Sequence, residues 1–133
     1  VSAFVLDASA TLGCLFEDEG DGGSEVLDAL LQGVALVPSL WPYEVANGVL
    51  VALRRGRISE AEAEDFFADL SLLDIRIDDS PTRPESLWRT ASATRLTAYD
   101  AAYLDLAEAH GLALATQDAE LRRAARRAGV QLL

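Results

Sequence analysis

Four carboxylates sit where an alternating strand and helix chain would gather them. Asp7 ends a short apolar run, Ala3-Phe4-Val5-Leu6, and Asp118 follows another, Leu112-Ala113-Leu114-Ala115, by three residues. Asp100 lies in the first turn of the helical segment leading into that second run. Glu44 opens the helical segment that follows Val34-Ala35-Leu36-Val37. Four acids sharing one pocket repel, so some must protonate or bind a cation. One cysteine, Cys14, and one histidine, His110, exclude a zinc site of the usual Cys/His kind. Oxygen ligands alone select Mg2+ or Mn2+. Such an ion polarises a phosphoryl oxygen, activates water and steadies both attacking and leaving oxygens.

Each acid has a competing local explanation. Asp7 and Asp118 are good helix N-caps, and Asp100 is the third-position partner of Thr97 in a capping box. Acids in a first turn also suit the helix dipole. Glu44 is harder to account for this way. Its helix is otherwise apolar (Trp41, Val45, Ala46, Val49, Leu50, Val51), and Asn47, the one asparagine of the chain, lies three residues on along the same face. A polar pair on an apolar helix needs a partner or a site.

The elements that must position these acids follow from hydrophobic periodicity. Runs at 3–6, 34–37, 75–77 and 112–115 read as strands, the third alternating as an edge strand does; 130–133 is a possible fifth. Helical spacing fills the gaps at 8–16, 24–31 and 42–55. Ser59-x-x-Glu62 and Thr82-x-x-Glu85 form the capping-box pattern before two further helices. Thr97 and Asp118 open the last two, stopped by Gly111 and Gly129. Strands alternating with helices predict a parallel sheet covered on both faces, whose ligands sit beyond the carboxyl ends of the strands.

At 133 residues the chain is expected to form one domain, 1–133. Half its residues are hydrophobic and a quarter charged, which excludes intrinsic disorder. No apolar run approaches a membrane span, so a cytoplasmic setting is expected. Every basic residue other than His110 is an arginine. The absence of lysine excludes Schiff-base chemistry, a Walker A loop and receiver-type phosphoacceptor sites. It also counts against an aspartyl-phosphate phosphatase, in which a second Asp would stand at Ser9. The net charge is −11, unevenly spread: residues 1–79 hold 16 acids and 4 arginines, residues 80–133 hold 6 acids and 7 arginines. An acidic protein repels nucleic acid at long range, so a phosphodiester substrate requires positive charge at the site.

Four segments together resemble the PIN-domain ribonucleases, and within them the VapC-type toxins of VapBC toxin–antitoxin pairs. They are Phe4-Val5-Leu6-Asp7-Ala8-Ser9, Pro42-Tyr43-Glu44-Val45-Ala46-Asn47, Leu96-Thr97-Ala98-Tyr99-Asp100-Ala101-Ala102-Tyr103-Leu104 and Ala115-Thr116-Gln117-Asp118-Ala119-Glu120-Leu121. The resemblance implies a PIN-like three-layer α/β/α sandwich with a central, mainly parallel sheet of four to five strands. It implies a catalytic, metal-binding set of Asp7, Glu44, Asp100 and Asp118, supported by Thr116, Asn47 and Ser9, with Mg2+ or Mn2+ as cofactor. It further implies RNA as substrate, a VapB-type antitoxin as partner and a homodimer. A nuclease with a non-toxin role in RNA processing, or a non-catalytic binding module, is the alternative.

Two arginine groups, Arg54/Arg55/Arg57 and Arg122/Arg123/Arg126/Arg127, are candidates for RNA phosphates or simply complement helix ends. Trp41 and Trp88 are expected as core or interface anchors, Cys14 as an inert residue of the first helix, and the acids of 17–21 as a solvated loop.

Overall fold

The computed structural model describes residues 2–15 and 22–133. Its elements run β1 (Ala3–Leu6), α1 (Ala8–Gly13), α2 (Gly22–Gln32), β2 (Val34–Val37), α3 (Trp41–Arg54), α4 (Glu60–Leu70), β3 (Ile75–Ile77), α5 (Pro84–Thr94), α6 (Ala98–His110), β4 (Ala113–Ala115) and α7 (Ala119–Ala128). Phe16 and the acidic stretch 17–21 lie outside the described residues.

The four strands are parallel, in the order β3-β2-β1-β4, with β3 at an edge as its alternation predicts. Phe4 pairs with Ala35 on one side and with Ala113 on the other. The chain builds outward from β1 through β2 to β3, then returns to place β4 on the far side of β1. This reversal is the topological switch point at which open α/β sheets form a crevice. The residues that leave β1 and β4, Asp7 and Thr116, therefore emerge side by side, tied by the Asp7 N–H donating to the Ala115 carbonyl at 3.1 Å.

Strand alternation sorts the core. Val5 and Leu114 face α6 and α7, where they pack with Tyr103, Leu104, Leu121 and Ala125. Phe4, Leu6, Ala35 and Val37 face the opposite way, onto Val26 and Leu30 of α2. Burial on both faces is what makes these strands continuous apolar runs. A third cluster, Val45, Val49, Ile58 and Phe66, joins α3 to α4. Trp41 packs against all three clusters, and its indole N–H donates to the Thr11 hydroxyl at 2.9 Å. Gly48 sits inside α3 because a Cβ there would lie 2.3 Å from the Leu12 side chain. The missing methyl group lets α1 and α3 approach closely, one turn from Glu44.

Several local expectations change in the folded chain. The fifth strand is reduced to a single parallel bridge between Leu114 and Leu132. The Ser59–Glu62 capping box forms with both reciprocal bonds, whereas Thr82–Glu85 does not cap its helix. Pro84 is the reason: a residue before proline is pushed to extended backbone, so Arg83 (φ −102°, ψ 121°) must be the non-helical cap and Thr82 falls outside the helix. Trp88 is exposed on α5, with the Arg89 guanidinium 6.0 Å from its ring centre, and is not a core residue. Cys14 lies just past the end of α1, half-buried, and burial pushes its thiol up.

Candidate active site

Asp7 is the fixed point of the site. It is 4 % exposed, and each of its oxygens is held. Oδ1 accepts from the Ala10 N–H and the Ser9 hydroxyl, both at 2.8 Å; Oδ2 accepts from the Ser9 hydroxyl at 3.0 Å and from the Thr116 hydroxyl. Asp7 thus caps α1 as the local reading required, while its position at the switch point also turns it toward the crevice.

The loop after β4 is built into the same network. The Thr116 hydroxyl accepts from the Asp118 N–H at 3.0 Å, and the Ser9 hydroxyl accepts from the Gln117 N–H at 2.9 Å. Asp118 caps α7 through the Leu121 N–H at 2.9 Å. Arg122, one turn into α7, donates to the Thr116 carbonyl at 3.0 Å and so braces the loop from outside the cleft.

Glu44 and Asp100 complete the set from the α3 and α6 N-termini. Thr97 caps α6 by accepting from the Asp100 N–H at 3.1 Å. The Tyr103 hydroxyl donates to Glu44 Oε1 at 2.6 Å, fixing α3 to α6 across the cleft. Burial and the Glu44 carboxylate both push the Tyr103 phenol up, so it stays a donor. Tyr103 is missing from the sequence-derived set. Its position three residues after Asp100, on the same helix face, is the signal that could have found it.

Asp7, Ser9, Glu44, Asn47, Asp100 and Asp118 line one cleft of about 320 Å³, and among the described residues no arginine or histidine lines it. The electrostatics agree with convergence. Burial raises the Asp7 carboxyl to about 6 against hydrogen bonds that lower it, with the Asp100 charge adding to the rise. Burial first, then the Asp118 and Glu44 charges, raise Asp100. Among the described residues, no three His, Cys, Asp or Glu side chains are drawn together tightly enough to hold a metal ion as they stand. The donor set itself, hard oxygens with no competing cation among the lining residues, fits Mg2+ or Mn2+.

Replacing Tyr103 with Phe tests the brace. Removing one part-buried hydrogen bond to a carboxylate is expected to cost about 1.5 kcal/mol or somewhat more of stability at neutral pH. The Glu44 carboxylate, released from its donor, should also lower turnover more than it weakens substrate binding. Denaturant melts and a kcat-against-KM comparison measure both.

A parallel sheet with this strand order, and acids placed at its switch point, is a doubly wound α/β fold with an acidic crevice. The PIN domain family model matches residues 4–127, and the chain belongs to that family. Among individual proteins, the chain is 38 % identical over 79 residues to Exonuclease VapC9 of Pyrobaculum aerophilum, a match that covers 59 % of this chain and 58 % of that protein. It resembles the crystal structure of PAE2754 from the same organism, with a TM-score of 0.72 and 26 % identity over 92 % of this chain and 84 % of the other. A VapBC2 structure from Rickettsia felis, bound to a DNA fragment from its promoter, matches with a TM-score of 0.61 and 14 % identity over 98 % of this chain and 97 % of that one. The last likeness is one of fold. No helix among the described residues is long and apolar enough to cross a membrane.

Proposed function

We propose that this chain is a metal-dependent endoribonuclease, acting as the VapC-type toxin of a type II toxin–antitoxin pair, with a VapB-type antitoxin as partner and a homodimer as its working form. The observation that carries the nuclease reading is the meeting of Asp7, Glu44, Asp100 and Asp118 on one cleft that no basic side chain among the described residues lines. The toxin reading is supported by the similarity to VapC9, which spans a little over half of that protein.

In this reading Asp7, Asp100, Asp118 and Glu44 hold the cation, and Ser9, Thr116 and Asn47 support them. When bound, the cation supplies a polarised phosphoryl oxygen and an activated water. The chain supplies orientation. Ser9, Thr116 and the Ala10 N–H lock Asp7, the Tyr103 hydroxyl locks Glu44, and the α6 and α7 caps fix where Asp100 and Asp118 start. Water adds to phosphorus, the bond to the 3′ oxygen breaks, and that oxygen leaves as a hydroxyl, so the products carry 5′-phosphate and 3′-hydroxyl ends.

The test uses a circular single-stranded RNA and a linear one of the same sequence, each with Mg2+, with Mn2+ and with chelator. Cleavage of the circle in either metal, and its loss in chelator, is expected. An intact circle beside a linear RNA shortened from its ends would assign an exonuclease instead. Activity that survives chelation, or 2′,3′-cyclic ends, would overturn the mechanism. In cells, expression alone should arrest growth, and co-expression of the antitoxin should restore it.

A further inference from the structure

Away from the acidic cleft, three arginines from two elements meet at one groove. Arg95 at the end of α5, with Arg123 and Arg127 on α7, lines a groove of about 590 Å³ in which Glu120 is the one acid among the described residues. In a chain of net charge −11 this is a local reversal of sign. Glu120 pairs with Arg123 at 3.0 Å, but both side chains are more than half exposed, and pairs of that kind are weak and exchange readily. Arg95 and Arg127 have no ion-pair partner among the described residues.

The groove lies between the end of α5 and α7, the helix that Asp118 caps. α5 and α6 form an antiparallel hairpin, with the Thr90 hydroxyl on Asp105, so the end of α5 returns to the end of α6 that bears Asp100. Arg95 is five residues before Asp100. Asp118 caps α7, and the next turns of that helix carry Arg123 and Arg127, one turn or about 6 Å apart along the axis. The arginines therefore lead away from the carboxylates in sequence along one helix. Arg95 itself adopts φ 61°, ψ 25° at the α5 C-cap. Glycine adopts that left-handed conformation without the steric cost an arginine bears. The arginine contributes a guanidinium at the groove in exchange.

We propose that this groove is a phosphate track: Arg95, Arg123 and Arg127 bind backbone phosphates of the single-stranded RNA several nucleotides from the one positioned at the carboxylates. The proposal takes its substrate class from the nuclease reading. It also answers how so acidic a protein holds a polyanion, since guanidinium groups neutralise phosphates and release counterions.

The test compares the parent with a triple variant, Arg95→Gly, Arg123→Gln and Arg127→Gln, in which glycine keeps the left-handed backbone. Fluorescence anisotropy in chelator reads binding of a labelled single-stranded RNA long enough to span cleft and groove, across a salt series. Cleavage in Mg2+ or Mn2+ is read on the same RNA and on a trinucleotide too short to reach the groove. In the triple variant the affinity should fall about tenfold or more, and the log–log salt slope should become shallower by about 2, near 0.7 for each arginine. KM for the long RNA should rise while kcat and trinucleotide cleavage stay unchanged. Arg127→Gln alone, at an exposed position, should give about a third of the slope change and serves if the triple variant melts early.

Unchanged affinity and slope would overturn the proposal, as would equal losses on long and short RNA. An acidic peptide such as polyglutamate that binds the parent more tightly than RNA does, and loses that binding in the triple variant, would assign the groove to a protein partner and overturn it as well. RNA held through the three arginines but never cut would leave the track standing and remove the nuclease reading. RNA cut with a KM indifferent to the substitutions would do the reverse.

Discussion

Asp7→Asn is expected to abolish the proposed RNA cleavage and, in chelator, to make the protein more stable. The loss of activity follows from removing the charge of the one carboxylate held on every side; on the order of 10²–10³-fold or more in kcat/KM is expected, as for the loss of one preorganised charge-stabilising group. The gain in stability follows from burial. Asp7 titrates near 6 in the folded chain against 3.8 when unperturbed. A raised carboxyl pKa means that the folded state binds the proton more tightly than the unfolded state, so stability falls as pH rises between these values. Ionised Asp7 therefore costs on the order of 3 kcal/mol above pH 6. Asparagine removes that cost and still caps α1, while the Ser9 and Thr116 hydroxyls can turn to accept from its amide. A mismatch of about 1 kcal/mol in that network leaves a net gain of roughly 1–2 kcal/mol, or about 3–10 °C in Tm, at pH 7. By pH 4 folded Asp7 is protonated and most of that cost is gone, so the advantage should vanish. Melts of both proteins in chelator at pH 7 and pH 4 decide it. A variant that is less stable at both pH values by the same margin would mean that Asp7 is a cap and nothing more.

Mg2+ or Mn2+ is expected to raise the parent's melting midpoint, and Asp100→Asn to remove most of that rise. A cation that binds the folded chain alone adds about 2.7 kcal/mol at a concentration of 100 Kd. Asp100 is half-exposed, and its carboxyl is raised by burial and by the Asp118 and Glu44 charges. Neutralising it relieves repulsion in the metal-free protein, so the midpoint in chelator should be unchanged or higher. The Thr97 cap is untouched, because it bonds the Asp100 backbone N–H. Melts of both proteins in chelator and in millimolar metal read the two effects together. A lower midpoint in chelator with a full metal shift would remove Asp100 as a ligand.

These predictions combine two readings that the sequence presents as rivals. Local pattern offers each acid either as a cap or as a ligand. In the folded chain Asp7 and Asp118 are caps with side-chain bonds of 2.8 and 2.9 Å, and they also line the cleft. The two roles are compatible because a helix that starts at the carboxyl end of a strand places its N-cap at the crevice. Capping engages Oδ1 of Asp118, one oxygen of its carboxylate, whereas Asp7 is held by Ser9 and Thr116 as well as by its cap and reaches the cleft through its place at the switch point.

Periodicity and caps determined most of the elements by themselves, the exceptions being the fifth strand and the Thr82 cap. Phe4-Val5-Leu6 had to be a strand buried on both faces, Ser59-x-x-Glu62 had to open a helix, and Gly111 and Gly129 had to end two, because these signals act within a few residues and no distant contact competes with them. Residue type determined the hard-oxygen character of the site, since no other ligand chemistry is present in the right segments. Tertiary structure decided what depends on partners far along the chain. Tyr103 meets Glu44 from 59 positions away and Thr116 meets Asp7 from 109, and local pattern names neither partner. It also separated arginines that look alike on α7. Arg122 turns back to the Thr116 carbonyl, while Arg123 and Arg127 face the groove that Arg95 closes. One helix face differs from the next by only about 100°, and only the packing of α7 against α6 and the sheet fixes which arginine meets a loop and which meets solvent.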